Sequence, residues 1–214
     1  MGLVNFGVPE DVVLWLKAQT GADRFIETGT YMGGTAMWAA RNFPHVTSIE
    51  LDEDLHRSAK ERLKSFQNVD LRFGQSQEEI VRIVPALTQP AIFWLDAHWS
   101  GKNTAGEDLE CPVLEEISVV DSGSTQHVIL IDDAYLFFNP PPPPHKPSHW
   151  PTIGNMTEQL RMKFPDAYIC VLDDVIIRIP GSLRLAFEQF LGSKAAVGSR
   201  MTLAARIKRA LMGR

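Results

Sequence analysis

A chain of 214 residues is long enough for one domain with a full hydrophobic core. Its formal net charge of −5, from 21 basic and 26 acidic residues, argues against nucleic-acid binding as a general property. No apolar run has the length of a membrane span, MGLVNFGVPEDV lacks a signal-peptide pattern, and two cysteines make no disulfide framework, so the expected compartment is the cytoplasm.

PEDVVLWLKAQTG has the spacing of an amphipathic helix from near Pro9 to Thr20, with Gly21 as its stop signal. RFIET is a short buried strand that opens into a glycine turn, and GGTAMWAARNF is the helix after it. HVTSIELD reads as a second strand and EDLHRSAKERLKSF as a helix with charges on one face. VDLRFGQS is a third strand with its turn, and QEEIVRIVPAL another helix. AIFWLDAH, the fourth strand, is almost continuously apolar, as a strand covered on both faces must be. The loop SGKNTAGEDLECP is longer than a simple connection needs, which points to function. CPVLEEISVV follows as a helix opened by proline, and HVILIDDAY is a fifth strand. Cys111 reads as a loop residue rather than a nucleophile, and Cys170, in AYICVL, as a core residue.

Five alternations of strand and helix predict a parallel sheet with right-handed crossovers. The end of the chain differs. TEQLRMKF is helical, and AYICVLDDVIIRIP holds two strand-like runs around Asp173 and Asp174, the signature of a hairpin. NPPPPPHKPSHWP must be extended and stiff. It can form a wall or lid over a site, a docking segment or an inert spacer. Six basic residues and no acid follow from Lys194 onward. SRMTLAARIKRALMGR has the pattern of a basic amphipathic helix, read first as a solvated terminal helix and second as a contact for a membrane surface or a partner. The expected division is one domain over residues 1–190 and a basic helical tail over 191–214. Whether the chain forms a homodimer is left open.

The turn in RFIETGTYMGGT fits neither common phosphate fingerprint. The spacing from Gly29 to Gly34 is that of a P-loop, but Thr35 stands where the lysine belongs, and Tyr31 breaks the dinucleotide pattern G-x-G-x-x-G. Glu27 at its mouth would repel a pyrophosphate, so the turn suits a ligand with a positive end. Ligands of open α/β sheets sit at the carboxyl ends of the strands, and here those ends carry Glu27, Glu50, Asp96, Asp132 and Asp133.

With the closing hairpin, this pattern resembles the class I S-adenosylmethionine-dependent methyltransferases over roughly residues 20–180. ETGTYMGG matches that family's acid-Gly-x-x-x-Gly motif through Glu27, Gly29 and Gly33, and IELD matches its acidic second strand end at Glu50. FGQS resembles its adenine-pocket segment. The resemblance implies a Rossmann-like, doubly wound, mostly parallel seven-stranded α/β sheet with a C-terminal antiparallel hairpin. It also implies S-adenosylmethionine as cofactor, held by Glu27, Gly29, Thr30, Tyr31, Gly33, Glu50, Gln75, Ser76 and Asp96. Glu27 would attract the cationic end, Glu50 would accept from both ribose hydroxyls, and Gln75 and Ser76 would meet the adenine edge.

Asp96, Asp132 and Asp133 should converge, and three close carboxylates repel. One solution is a hard divalent ion such as Mg²⁺, an arrangement similar to metal-dependent O-methyltransferases, including sugar O-methyltransferases. The other is that Asp132 and Asp133 cap turns while Asp96 holds the cofactor's amino group. Asp96 and His98 are the expected catalytic residues, His98 as general base. Trp99, Tyr135 and Trp150 are candidate walls of an acceptor pocket. The implied activity is methyl transfer to a small-molecule acceptor, at a hydroxyl of a sugar or secondary metabolite. The rivals are a non-enzymatic binding module of the same fold and, less favoured, an NAD(P)-dependent oxidoreductase.

Overall fold

The computed structural model describes residues 7–194 apart from 100, 102–103, 124 and 140. The basic tail from residue 195 onward lies outside the described residues. The chain divides after Pro180 into two compact units. In the second, the described part is a single helical stretch over 181–194, in which Arg184 pairs with Glu188 at 3.0 Å.

The first unit is one seven-stranded sheet in the order β3-β2-β1-β4-β5-β7-β6. Its strands are β1 (Arg24–Thr28), β2 (His45–Glu50), β3 (Val69–Phe73), β4 (Ala91–Leu95), β5 (Val128–Ile131), β6 (Tyr168–Leu172) and β7 (Val175–Ile179). The first five pair in parallel, and β7 runs antiparallel between β5 and β6. The expected α/β fold with a terminal hairpin is what the chain adopts. Every residue of β4, β5 and β7 is buried, because helices cover both faces. Phe93, Leu95, Ile129, Ile131 and Ile176 join Ile80 and Ile117 from the helices in one core, each such side chain contributing about 1.5–3 kcal/mol.

The helices are α1 (Glu10–Thr20), α2 (Gly34–Asn42), α3 (Glu53–Leu63), α4 (Ser76–Ile83), α5 (Val113–Val120), α6 (Tyr135–Phe138) and α7 (Ile153–Met162). Gly21 ends α1 in the left-handed conformation at φ 70°, as its place in the sequence suggests. Helix α7 starts earlier than TEQLRMKF, because Thr152 and Asn155 form a reciprocal capping box. β5 stops at Ile131, whereas the sequence reading carried the strand through to Tyr135. Asp133 turns the backbone at φ 52°, and Tyr135 opens a single helical turn. Among the described residues no helix is long and apolar enough to cross a membrane.

The hairpin is held from below by a buried ion pair. Arg178 of β7, 1% exposed, meets Asp121 at 3.1 Å and donates to the His127 carbonyl at 3.2 Å. Because β7 is antiparallel to β5, with Ile131 opposite Ile176, the β6–β7 turn comes to the carboxyl end of β5. There the Ala134 N–H donates to the Asp174 carbonyl and the Tyr135 N–H to its carboxylate, both at 2.8 Å. Topology therefore delivers a further acid to the end of the sheet where the parallel strands already place theirs.

Candidate active site

The parallel strand ends are tied to one another by backbone bonds set immediately before the acidic residues. The Asp132 N–H donates to the Leu95 carbonyl and the Asp96 N–H to that of Thr28, both at 3.1 Å. The N–H groups of Gly29 and Thr30 share the Ile49 carbonyl at 3.0 and 3.1 Å, and Gly74 donates to Glu50 at 2.9 Å. A cavity of about 890 Å³ opens along this line. Glu27, Gly29, Thr30, Tyr31, Glu50, Gln75, Ser76 and Asp96 all line it, and so do His98, Asp132 and Asp133.

Gly29 is required twice over. Its φ of +83° is costly for any residue with a Cβ, and a Cβ there would lie 2.3 Å from the Asp96 carbonyl oxygen. The turn can therefore press flat against β4. Gly33, at φ +75°, caps α2 and faces Leu63 and Ala59 at 3.7–3.9 Å. It is absent from the cavity wall, so its part is to shape the turn. Tyr31 adopts φ 48° without being glycine, and its N–H donates to Glu50 Oε2 at 2.7 Å. The other oxygen, Oε1, accepts from the Asp52 N–H at 2.9 Å. Burial raises the Glu50 carboxyl above its ordinary range, and these backbone bonds pull the other way.

Glu27 is 1% exposed. The Ser48 hydroxyl donates to it, and Thr30 bonds Ser48 in turn at 2.6 Å, which explains two polar residues in otherwise apolar surroundings. Burial pushes the Glu27 carboxyl up to about 8, with the Ser48 bond opposing and the charge of Asp96 adding. Its burial therefore favours the protonated form.

His98 sits between two carboxylates. Its Nδ1 lies 3.3 Å from Asp96 Oδ1 and its Nε2 3.0 Å from Asp133 Oδ2. Burial works against the charged imidazole, but the bond to Asp133 and the charges of Asp96, Asp133 and Asp132 outweigh it and hold His98 above its ordinary range. Asp96 is pushed up to about 7, first by burial, with the His98 charge opposing and Asp132 and Asp133 adding. Asp132 is pushed up to about 6 by burial, against the bond it accepts from the Asp133 N–H at 2.9 Å.

Among the described residues no three His, Cys, Asp or Glu side chains are arranged to hold a metal ion. The Mg²⁺ expectation on Asp96, Asp132 and Asp133 finds no ligand set in this arrangement, because an imidazole fills the place between two of the three acids. Trp99, Tyr135 and Trp150 are not in the cavity wall either. Trp99 and Trp150 are buried, and Trp150 packs on His98 with ring centroids 5.6 Å apart.

Solved structures share this architecture. A candidate caffeoyl-CoA O-methyltransferase from Staphylococcus aureus matches 84% of this chain and 86% of its own, with a TM-score of 0.58 and 17% identity. The Podospora anserina methyltransferase PaMTH1, solved with S-adenosylhomocysteine bound, matches 82% and 79% at a TM-score of 0.53 and 15% identity. The fold is that of the class I S-adenosylmethionine-dependent methyltransferases. Streptomyces venezuelae DesVI is similar over 80% of this chain and 89% of its own, with a TM-score of 0.51 and 10% identity. No protein-family model matches the chain, and no curated protein does.

The methyltransferase fold directs attention to what this chain adds at the strand ends. Asp174 lines the cavity from the hairpin, as do Glu107 and Asp108 from the long loop after β4. The signal for Asp174 was its place in a two-aspartate turn, but only the antiparallel return of β7 brings it here. Glu116, 1% exposed on α5, is pushed up to about 7 by burial, against bonds from Ser76 and Thr28. A helical Glu in LEEI reads as solvated, and nothing local to the sequence marks it otherwise.

Proposed function

We propose that this chain transfers a methyl group from S-adenosylmethionine to a small-molecule acceptor, at a hydroxyl. The observation that carries the reading is the convergence of Glu27, Gly29 and Glu50 on one cavity in a chain of this fold. Glu27 offers a buried carboxylate to an ammonium, Gly29 lets the ligand lie against backbone, and Glu50 offers lone pairs to the two ribose hydroxyls. Ser76, and Gln75 preceding the first turn of α4, line the same cavity and are assigned to the adenine edge. Bound there, S-adenosylmethionine supplies a methyl group on a sulfonium, open to in-line displacement by an oxygen.

The chain's own contribution is then to position the acceptor and receive its proton. Asp96, held near neutrality, is the carboxylate matched to take a proton from a hydroxyl at physiological pH. His98, hydrogen-bonded to Asp133 through Nε2 and ion-paired with Asp96 through Nδ1, keeps the two carboxylates in place and offsets their charge. The proton moves from the acceptor oxygen to Asp96 as the oxygen–methyl bond forms, leaving a methyl ether and the thioether. The carboxylates at the acceptor end and the O-methyltransferase description of the S. aureus neighbour support an oxygen acceptor.

Calorimetric titration with S-adenosylhomocysteine, with NAD as comparator, tests the reading. Micromolar binding of the thioether and none of NAD is expected, and binding of neither would end it. The same titration yields a pH dependence. Glu27 must lose its proton to pair with the ligand's ammonium, so binding releases a proton and tightens as pH rises toward about 8. In the ligand-free chain the sign for stability is opposite. The folded value stands above the ordinary 4.5, so the contribution of Glu27 is full below that value and is lost as pH rises through about 8. Heats measured in buffers of different ionisation enthalpy check the proton release, and a pH-independent affinity would remove Glu27 from the ammonium site.

A further inference from the structure

The backbone bonds described within the segment 139–151 are short-range, such as His149 N–H to the Lys146 carbonyl at 2.9 Å. The segment's five consecutive prolines have no N–H to donate, so attachment falls to the residues that follow them. Three of those residues converge on one buried carboxylate. Glu110, fully buried in the loop after β4, accepts from the Lys146 N–H at 3.0 and 3.1 Å and from the Trp150 indole N–H at 2.8 Å. It also meets His145 Nδ1 at 3.3 Å. Burial would raise this carboxyl, but the three partners outweigh it and hold it below the usual range.

The clamp reaches His98 from two sides. Through its backbone, Glu110 accepts from the Trp99 N–H at 2.7 Å, one residue along from His98. Through its side chain it fixes Trp150, whose ring lies against the imidazole, braced by Phe137 at 5.9 Å and His145 at 5.4 Å. His145 in turn packs on Trp99 at 5.3 Å, which closes the circuit. Asp96 and Asp133 flank the two nitrogens of His98, and Trp150 packs beside the ring with the two planes tilted by 58°.

We propose that Glu110 is a positioning residue. It pins the proline-rich segment against the loop after β4, so that Trp150 keeps the His98 imidazole in place between Asp96 and Asp133. The segment is then neither an inert spacer nor a wall of the cavity, but the back support of the imidazole that holds Asp96 and Asp133. This inference rests on the methyl-transfer reading for its meaning in catalysis, although its geometry can be tested without an acceptor.

The test is nuclear magnetic resonance of the full chain with isotope-labelled histidine, comparing wild type, Glu110→Gln and Trp150→Phe. In the wild type the ring N–H protons of His98, identified by their loss in His98→Gln, should exchange slowly enough with water to be seen near neutral pH. Glu110→Gln should lose those signals while keeping wild-type affinity for S-adenosylhomocysteine, since Glu110 lies outside the cavity wall. Trp150→Phe removes the indole donor together with part of the ring that packs on His98 and should lose them in part; it carries the test if Glu110→Gln does not fold. A lowered melting temperature with His98 signals intact would show a clamp that only stabilises the fold, and would overturn the proposal. Wild-type titration with S-adenosylhomocysteine reports separately on the methyl-transfer reading, whichever way the His98 signals fall.

Discussion

Gly29→Ala is expected to abolish S-adenosylhomocysteine binding and to lower folding stability by about 2–5 kcal/mol. The left-handed backbone at φ +83° accounts for roughly 1 kcal/mol of that. The remainder is overpacking, because the new methyl would meet the Asp96 carbonyl at 2.3 Å and no rotamer change can move a backbone atom. Relief would require β1 and β4 to part at their ends, where the Asp96 N–H donates to Thr28 at 3.1 Å. That movement would also displace Asp96 and the residues after it. Gly34→Ala is the internal control. It lies in α2 with nothing within 4 Å of its would-be Cβ, so it should be neutral or stabilising by about 0.5–1 kcal/mol. Thermal melts on both variants decide the stability claim and calorimetry on Gly29→Ala the binding claim; equal melting of the two variants would refute this account of the turn, Gly34 itself lining the cavity.

Glu50→Ala should weaken S-adenosylhomocysteine binding by about 100-fold or more. Two hydrogen bonds from ribose hydroxyls to an ionised carboxylate contribute about 1.5–3 kcal/mol each, and 1.4 kcal/mol is a factor of ten. Part of the loss would be indirect, since the N–H groups of Tyr31 and Asp52 lose their acceptor and the turn loosens. Glu50→Gln separates the two effects. Its single amide oxygen can serve one of those donors, so the turn is partly kept while the paired acceptor geometry is lost. An intermediate affinity is expected, and affinity unchanged in both variants would take Glu50 out of the cofactor site.

The glycine turn is legible in the sequence because its chemistry is local, whereas Glu50 stands out only through its match to the acidic end of the second strand. An acid, a glycine and a second glycine four residues on, placed between a buried strand and a helix, leave few alternatives for the backbone. The alternation of strand and helix is likewise local, and so is the Asp-Asp hairpin signal. Hence the sheet could be read from residue patterns before any contact was known.

Other features depended on contacts between distant residues. His98 reads as a lone loop histidine, and only folding sets Asp96 and Asp133 on its two nitrogens, where an ion had been expected. Glu110 reads as one acid in a polar loop, and 36 to 40 residues separate it from the donors that bury it. Trp99 and Trp150 read as pocket walls, yet they serve as packing behind the site. Asp174 reaches the cavity only because β7 returns antiparallel beside β5. Local pattern determined the sheet, the glycine turn and the acidic strand ends, since backbone propensity and periodicity act over a few residues. Tertiary structure decided which acids flank His98 and which are satisfied elsewhere, because burial and distance set a carboxylate's charge, and neither exists until the chain has folded.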